Sequence, residues 1–245
     1  MSLPLPPEIF DLIVERLCEE RETLKVCCVV SKSWVPRARR HLFARVEFLN
    51  EESSVESWVK AFPDPSNSPA HHARDLSIRS LPGLVAATTI ARAWIRTFCN
   101  IVSLTLETSA QDDKQASLVP LHALFPALKS FSLNHDSISS SEILNLVCSF
   151  PSLEDLSLTS TGSGEADTII LPPTSPKFTG YLCLVMMGGI RYDVCRLIAL
   201  PGGLHFTEIW VGCFAKDLDS ITNLVSACCN TLESFTIMQY CSSAF

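Results

Sequence analysis

Charge is scarce in this 245-residue sequence, where Asp, Glu, Lys and Arg together make up 18% and hydrophobic residues 47%. So little charge beside so much Val, Ile, Leu and Phe excludes a disordered chain, because burying the apolar surface offsets the entropy lost on ordering. Positive charge is scarcer still, with 19 Lys and Arg against 26 Asp and Glu and a net charge of -7. The chain as a whole offers no attraction for phosphate backbones or anionic headgroups, which sets nucleic acid and membrane surfaces aside as partners. Also missing is any uncharged apolar run of about 18 residues, the minimum for a membrane-spanning helix. There is no Gly-x-Ser-x-Gly, no His-Glu-x-x-His and no phosphate-binding glycine loop, and the histidines keep no fixed spacing to Cys or Asp. His71-His72 reads as a solvated loop. No catalytic residue, no cofactor and no metal site is expected.

Cysteine is the residue present in excess, eleven in all. The count is odd, no Asn-x-Ser/Thr acceptor occurs, and Met1 to Leu17 carries acids and prolines where a signal peptide carries a basic and then an apolar run. These features point to a reducing compartment, cytoplasmic and/or nuclear, with the thiols acting as small buried hydrophobes. The neighbouring pairs Cys27-Cys28 and Cys228-Cys229 do not match the ligand spacing of zinc sites.

The first fifty residues read as three helices. Pro4, Pro6 and Pro7 allow a helix to begin, with Glu8 and Asp11 near its positive end, and it is predicted to run to about Glu20. Ile9, Leu12, Ile13 and Leu17 mark one apolar stripe at helical spacing, and Phe10 and Val14 add a second. Two apolar faces on one helix imply two partners. A second helix is predicted from Thr23 to Trp34, apolar nearly all round, and a third from Pro36 to about Leu42-Phe43 with Arg37, Arg39 and Arg40 outward. A unit this small and this apolar is expected to be marginal until it docks on something.

These residues carry a resemblance. Leu5-Pro6-Pro7-Glu8-Ile9, then Ile13, Leu17 and Leu24, then Val30-Ser31-Lys32-Ser33-Trp34, then Arg39/Arg40 and Leu42-Phe43 are similar in order and spacing to an F-box. The resemblance implies that residues 1–48 form a docking module for the SKP-type adaptor of a cullin-RING ubiquitin ligase. It also implies that Leu5, Pro6, Ile9, Val30 and Trp34 belong to the adaptor-facing and supporting set.

The remainder, residues 49–245, is read as a repeat. The pattern apolar-x-x-apolar-x-apolar recurs as Ala73/Leu76/Ile78, Ile101/Leu104/Leu106, Leu128/Phe131/Leu133, Leu153/Leu156/Leu158, Phe178/Tyr181/Cys183, Phe206/Ile209/Val211 and Leu232/Phe235/Ile237. First positions step by 28, 27, 25, 25, 28 and 26 residues, within the range of about 20 to 29 for leucine-rich repeats. Phe43/Val46/Phe48 offers an eighth copy. Segments of helical spacing lie between: Val55 to Phe62, Leu84 to Phe98, Leu118 to Phe125, Ser141 to Phe150, Val194 to Leu200 and Leu218 to Cys229. The fold class expected is α/β: an N-terminal three-helix F-box followed by an irregular leucine-rich-repeat solenoid, with parallel strands on the concave face and helices outside. The repeats resemble those of fungal F-box proteins, with one departure. The asparagine usual after the last strand leucine is replaced by Ser109, Asp136, Thr161, Met186, Phe214 and Tyr240.

Residues flanking the inward positions are expected on the concave surface. The first four rows are small and polar, while the last three read Gly180, Leu182, Leu184; Glu208, Trp210, Gly212; and Ser234, Thr236, Met238. Leu182, Leu184, Trp210 and Met238 are therefore the expected substrate-binding group, with Trp210 as anchor. Together these readings give a non-enzymatic substrate-recognition subunit of an SCF-type ligase, with the SKP adaptor and a protein substrate as partners. The alternative is an interaction scaffold that uses the same module without substrate ubiquitination.

Overall fold

A computed structural model describes residues 6–48, 55–79, 93–107, 121–135, 138, 140–160, 173–186 and 191–240. Helix α1 (Pro7–Arg16) follows Pro6, whose φ of -56° already suits a helix entrance, and Glu8 sits in its first turn. It stops at Arg16, four residues short of the predicted end, in a turn where Cys18 N–H donates to Glu15 O. Helix α2 (Arg21–Val30) starts two residues before Thr23 and ends where Ser31 becomes extended. The segment from Ser31 to Trp34 is a turn, closed by Trp34 N–H on Ser31 O at 3.1 Å, and α3 (Val35–Leu42) follows it. Val14, Leu24, Cys27 and Ala38 form the core of this unit, with Leu17, Cys28, Trp34 and Leu42 packed around them. Trp34 lies on Phe10 with ring centroids 5.5 Å apart. The Arg37 guanidinium grips both carboxylate oxygens of Asp11, tying α3 to α1 and holding that carboxyl below its ordinary range.

Only Phe43 and Ala44 separate α3 from the first of eight parallel strands: β1 (Arg45–Phe48), β2 (Asp75–Arg79), β3 (Ser103–Glu107), β4 (Ser130–His135), β5 (Asp155–Ser160), β6 (Tyr181–Met186), β7 (Glu208–Cys213) and β8 (Ser234–Gln239). They form one sheet in strict sequence order, so neighbours in the sheet are neighbours in the chain, with β1 and β8 at its two ends among the described residues. The protein is of the α/β class, and each parallel step needs a return segment on one side of the sheet. Among the described residues those segments contain α4 (Val55–Ala61), α5 (Leu121–Leu124), α6 (Ser140–Cys148), α7 (Arg191–Ile198) and α8 (Leu218–Ala227). The predicted helix Leu84 to Phe98 lies outside the described residues up to position 92, and that of Leu118 to Phe125 up to 120. Ile143, Leu144 and Val147 of α6, Val194 and Leu197 of α7, and Ile221 and Leu224 of α8 share one core with the inward strand residues. The other face of the sheet carries no helix layer among the described residues.

Each strand enters on the same hydrogen-bond device. A carbonyl of one strand entrance accepts two successive N–H groups of the next: Ala44 O from Arg74 and Asp75, Arg74 O from Val102 and Ser103, Val102 O from Lys129 and Ser130, Lys129 O from Glu154 and Asp155. This locks the repeat in register. At β6 the device changes. Five predicted inward triplets are buried throughout, but in this unit Phe178 is followed inward by Leu182 and Leu184, in register with Leu156 and Leu158. Tyr181 and Cys183, expected inward, face out, because one additional residue stands between Phe178 and the strand. The shift leaves Glu154 O with only Gly180 N–H at 3.2 Å, and the Asp155 carboxylate takes Tyr181 N–H instead at 2.8 Å. Gly180 leaves room for it: a Cβ there would sit 2.0 Å from Asp155 Oδ1. Asp155→Ala and Gly180→Ala are each expected to lower unfolding free energy by about 1 kcal/mol, the worth of one charge-assisted bond near solvent. Urea titration checks this, with Asp75→Asn as a neutral comparison.

An aromatic cluster seals the junction between helices and sheet. Trp58 on α4 has Phe43, Phe48, Phe62 and Phe98 within 4.8 to 5.9 Å between ring centroids, and its indole N–H donates to Ser68 Oγ at 3.3 Å. Phe43 caps α3, Phe48 is inward on β1, and Phe98 precedes β3, so one indole joins three units. Trp58→Ala is expected to cost about 3 kcal/mol, at the lower end for aromatic truncations because the ring is only half-buried. Thermal unfolding of the full chain measures it.

Candidate interaction surfaces

Helices α1 and α2 each bury one stripe and leave another bare. Val14 and Leu24 are the inward residues, whereas Ile9, Leu12 and Ile13 on α1 and Val26, Val29 and Val30 on α2 are exposed. The two sets share the spacing i, i+3, i+4, which is one continuous strip along a helix. Val29 is 82% exposed and Val30 64%, values unusual for aliphatic side chains in a folded unit. Of the residues predicted to serve docking, Pro6, Ile9 and Val30 are exposed, and Leu5 lies outside the described residues. Trp34 is half-buried against Phe10, a supporting position. Sequence reading did not single out Leu12, Ile13, Val26 and Val29 for docking, although their spacing was there to be read once Val14 and Cys27 were known to be inward.

The uncovered face of the sheet presents the second surface. Across it run three rows, one for each outward position of the strands, and their character changes along the sheet. Over β3 and β4 they hold Ser103, Thr105, Ser130, Ser132 and Asn134; over β6 to β8 they hold Tyr181, Cys183, Val185, Trp210 and Met238. Trp210 and Met238 stand where they were expected. Leu182 and Leu184 do not: both are fully buried beneath this face, since the residue inserted before β6 turns the side chains from Tyr181 to Val185 over. Tyr181, Cys183 and Val185 take their places. Burial holds the Tyr181 phenol up at about 12, with a hydrogen bond to the Cys183 side chain and the nearby Glu208 carboxylate acting in the same sense. The phenol is therefore neutral at any ordinary pH.

Two aromatic residues just past the ends of β7 and β8 extend this patch. Phe214 and Tyr240 have ring centroids 6.0 Å apart, with Lys216 Nζ 5.7 Å from the Phe214 centroid. The Tyr240 ring covers Gly212 so closely that a Cβ there would lie 2.9 Å from it. Ser109, Asp136 and Thr161 lie outside the described residues. At the sheet's last described strand, Phe235 and Ile237 point inward as predicted yet stay 41% and 42% exposed, because β8 has a neighbour on one side only.

The polar part of the face is internally paired: Arg79 bonds Glu107 at 2.7 Å and Lys129 bonds Glu154 at 2.7 Å across neighbouring strands. His71 and His72, predicted as a solvated loop, form a 3-10 turn (Pro69–His72) against α3. His71 is exposed and Nδ1 lies 2.9 Å from Ser68 O, while His72 is held below its ordinary range by burial and by His71, Arg39 and Arg40. Among the described residues, no group of three or more His, Cys, Asp or Glu is placed to hold a metal ion, and no helix is long and apolar enough to cross a membrane. Comparison of the chain with protein-family models and with curated proteins finds no match.

Proposed function

We propose that this protein is a substrate-recognition subunit of an SCF-type cullin-RING ubiquitin ligase, with residues 1–48 as the F-box and residues 49–245 as a leucine-rich-repeat-like solenoid. The observation that carries the reading is the pair of bare apolar strips on α1 and α2, displayed by the stretch whose residue order resembles the F-box motif. Apolar strips of this size on a small helical unit are the signature of a helix-packing partner. In this reading Leu5, Pro6, Ile9 and Val30 meet the SKP-type adaptor together with Leu12, Ile13, Val26 and Val29, and Trp34 supports them from within. The open face of the sheet holds the protein substrate.

The mechanism is proximity. Tethering a substrate beside a charged ubiquitin carrier raises the effective concentration of its lysines, and the bond-making chemistry belongs to other subunits. The short link through Phe43 and Ala44, sealed by the Trp58 cluster, suits that task because a rigid arm fixes where the substrate is presented. The test is co-expression with an SKP-type adaptor. A stoichiometric complex through size exclusion supports the reading, and a chain that elutes without the adaptor overturns it.

A further inference from the structure

The outward surface of the sheet is divided by charge. On β1 to β4 and the residues entering them, Arg45, Arg74, Arg79 and Lys129 stand against Glu47, Asp75 and Glu107. On β5 to β8 and their entrances the charged residues are Glu154, Asp155, Glu208 and Glu233, all acidic, while Lys216 stands past the exit of β7 over the Phe214 ring, at the opposite end of that strand from Glu208. Two of these four are engaged, Glu154 with Lys129 and Asp155 with Tyr181 N–H. Glu208 and Glu233 are exposed and form no ion pair among the described residues. They line the strand-entrance rim of the patch built from Tyr181, Trp210 and Met238.

We infer that the open face over β6 to β8 binds an extended protein segment in which a large apolar or aromatic side chain lies two residues from a lysine or arginine. This rests on the reading of the open face as the substrate-holding surface. The spacing argues it. Glu208 and Trp210 are two residues apart on one strand and point the same way, so their side chains stand about 7 Å apart, the repeat of same-side residues in any extended chain. A ligand strand laid along β7 sets one side chain over the indole and the next same-side one over the carboxylate. The cation gains from Glu208 and Glu233 and from the aromatic faces of Tyr181 and Trp210, and an acidic or phosphorylated segment is repelled.

The test is a random-peptide display library panned on the full chain, with counter-selection on Trp210→Ala. Enriched peptides are expected to carry Lys or Arg two positions from Trp, Phe, Leu or Met. Uncharged or acidic winners, or no enrichment over the variant, overturn the inference, as does a dimer of this chain that Trp210→Ala makes monomeric. For a synthetic winner, the double change Glu208→Gln and Glu233→Gln is expected to weaken binding about tenfold and Asp75→Asn to leave it unchanged. Equal effects of the two, or none from the first, overturn it as well. Adaptor co-purification on the same preparations separates the two readings: adaptor bound without the peptide preference defeats this inference alone, and the preference without adaptor defeats the ligase reading alone.

Discussion

Val29→Asp is expected to abolish co-purification with an SKP-type adaptor, weakening the complex about 100-fold, while the unfolding curve of the isolated chain barely moves. Val29 is 82% exposed on α2 and contributes nothing to the core of Val14, Leu24, Cys27 and Ala38, so its replacement should change stability by no more than about 0.5 kcal/mol. Pressed against an apolar partner, however, the new carboxylate has no counter-charge and loses its water. The cost is about 3 kcal/mol, a factor of about 100 in affinity. Leu218→Asp on α8 is the control, being another exposed aliphatic, 45% exposed, that lies far along the chain from α1 and α2. Adaptor binding untouched by Val29→Asp, or lost equally with Leu218→Asp, would remove the docking role from this strip. Trp34→Ala behaves differently: it withdraws the partner of Phe10 inside the unit, so docking fails through loosening of the helices and the unfolding curve shifts with it.

How far the chain could be read in advance follows from how its units are made. A parallel strand with one face covered needs an aliphatic at every second position, and a nearly constant step between strands returns that pattern at a near-fixed period. Eight strands were therefore legible from aliphatic spacing, with Val46 and Phe48 buried on β1 as expected. The helical unit was legible as apolar on two faces but not as to which face is inside, because Ile9, Leu12 and Ile13 look no different in sequence from Phe10 and Val14, and Leu17, read on the stripe of Ile9, packs with Val14 instead. Packing decides that: Arg37 pulls the Asp11 side of α1 toward α3, and Val14 comes with it. Charge gave a weaker signal. The acid-lined strand entrances of the second half of the sheet become visible only when residues about 26 apart are placed in adjacent rows.

Leu182→Ala is expected to lower stability by about 3 kcal/mol and Cys183→Ala by less than about 1, the reverse of what the sequence spacing implies. Phe178, Tyr181 and Cys183 keep the interval of the other repeats, and Tyr and Cys pass as inward residues. The alternative choice costs one inserted residue but places Leu182 and Leu184 level with Leu156/Leu158 on one side and Ile209/Val211 on the other. Aliphatic rows that run unbroken across a parallel sheet win over a constant interval, because an inward mismatch leaves a cavity in the core while an insertion at a strand entrance needs only Gly180 and the Asp155 carboxylate to absorb it. Truncating Leu182, which is fully buried, removes side-chain contacts to both neighbouring strands at once. In a sheet ordered strictly by sequence, β6 is also the strand that joins β5 to β7. The urea transition of Leu182→Ala should consequently both shift to lower concentration and broaden, as the units on either side of β6 lose their coupling. A sharp, unshifted transition for Leu182→Ala, with Cys183→Ala the destabilised variant, would restore the register that the spacing alone implies.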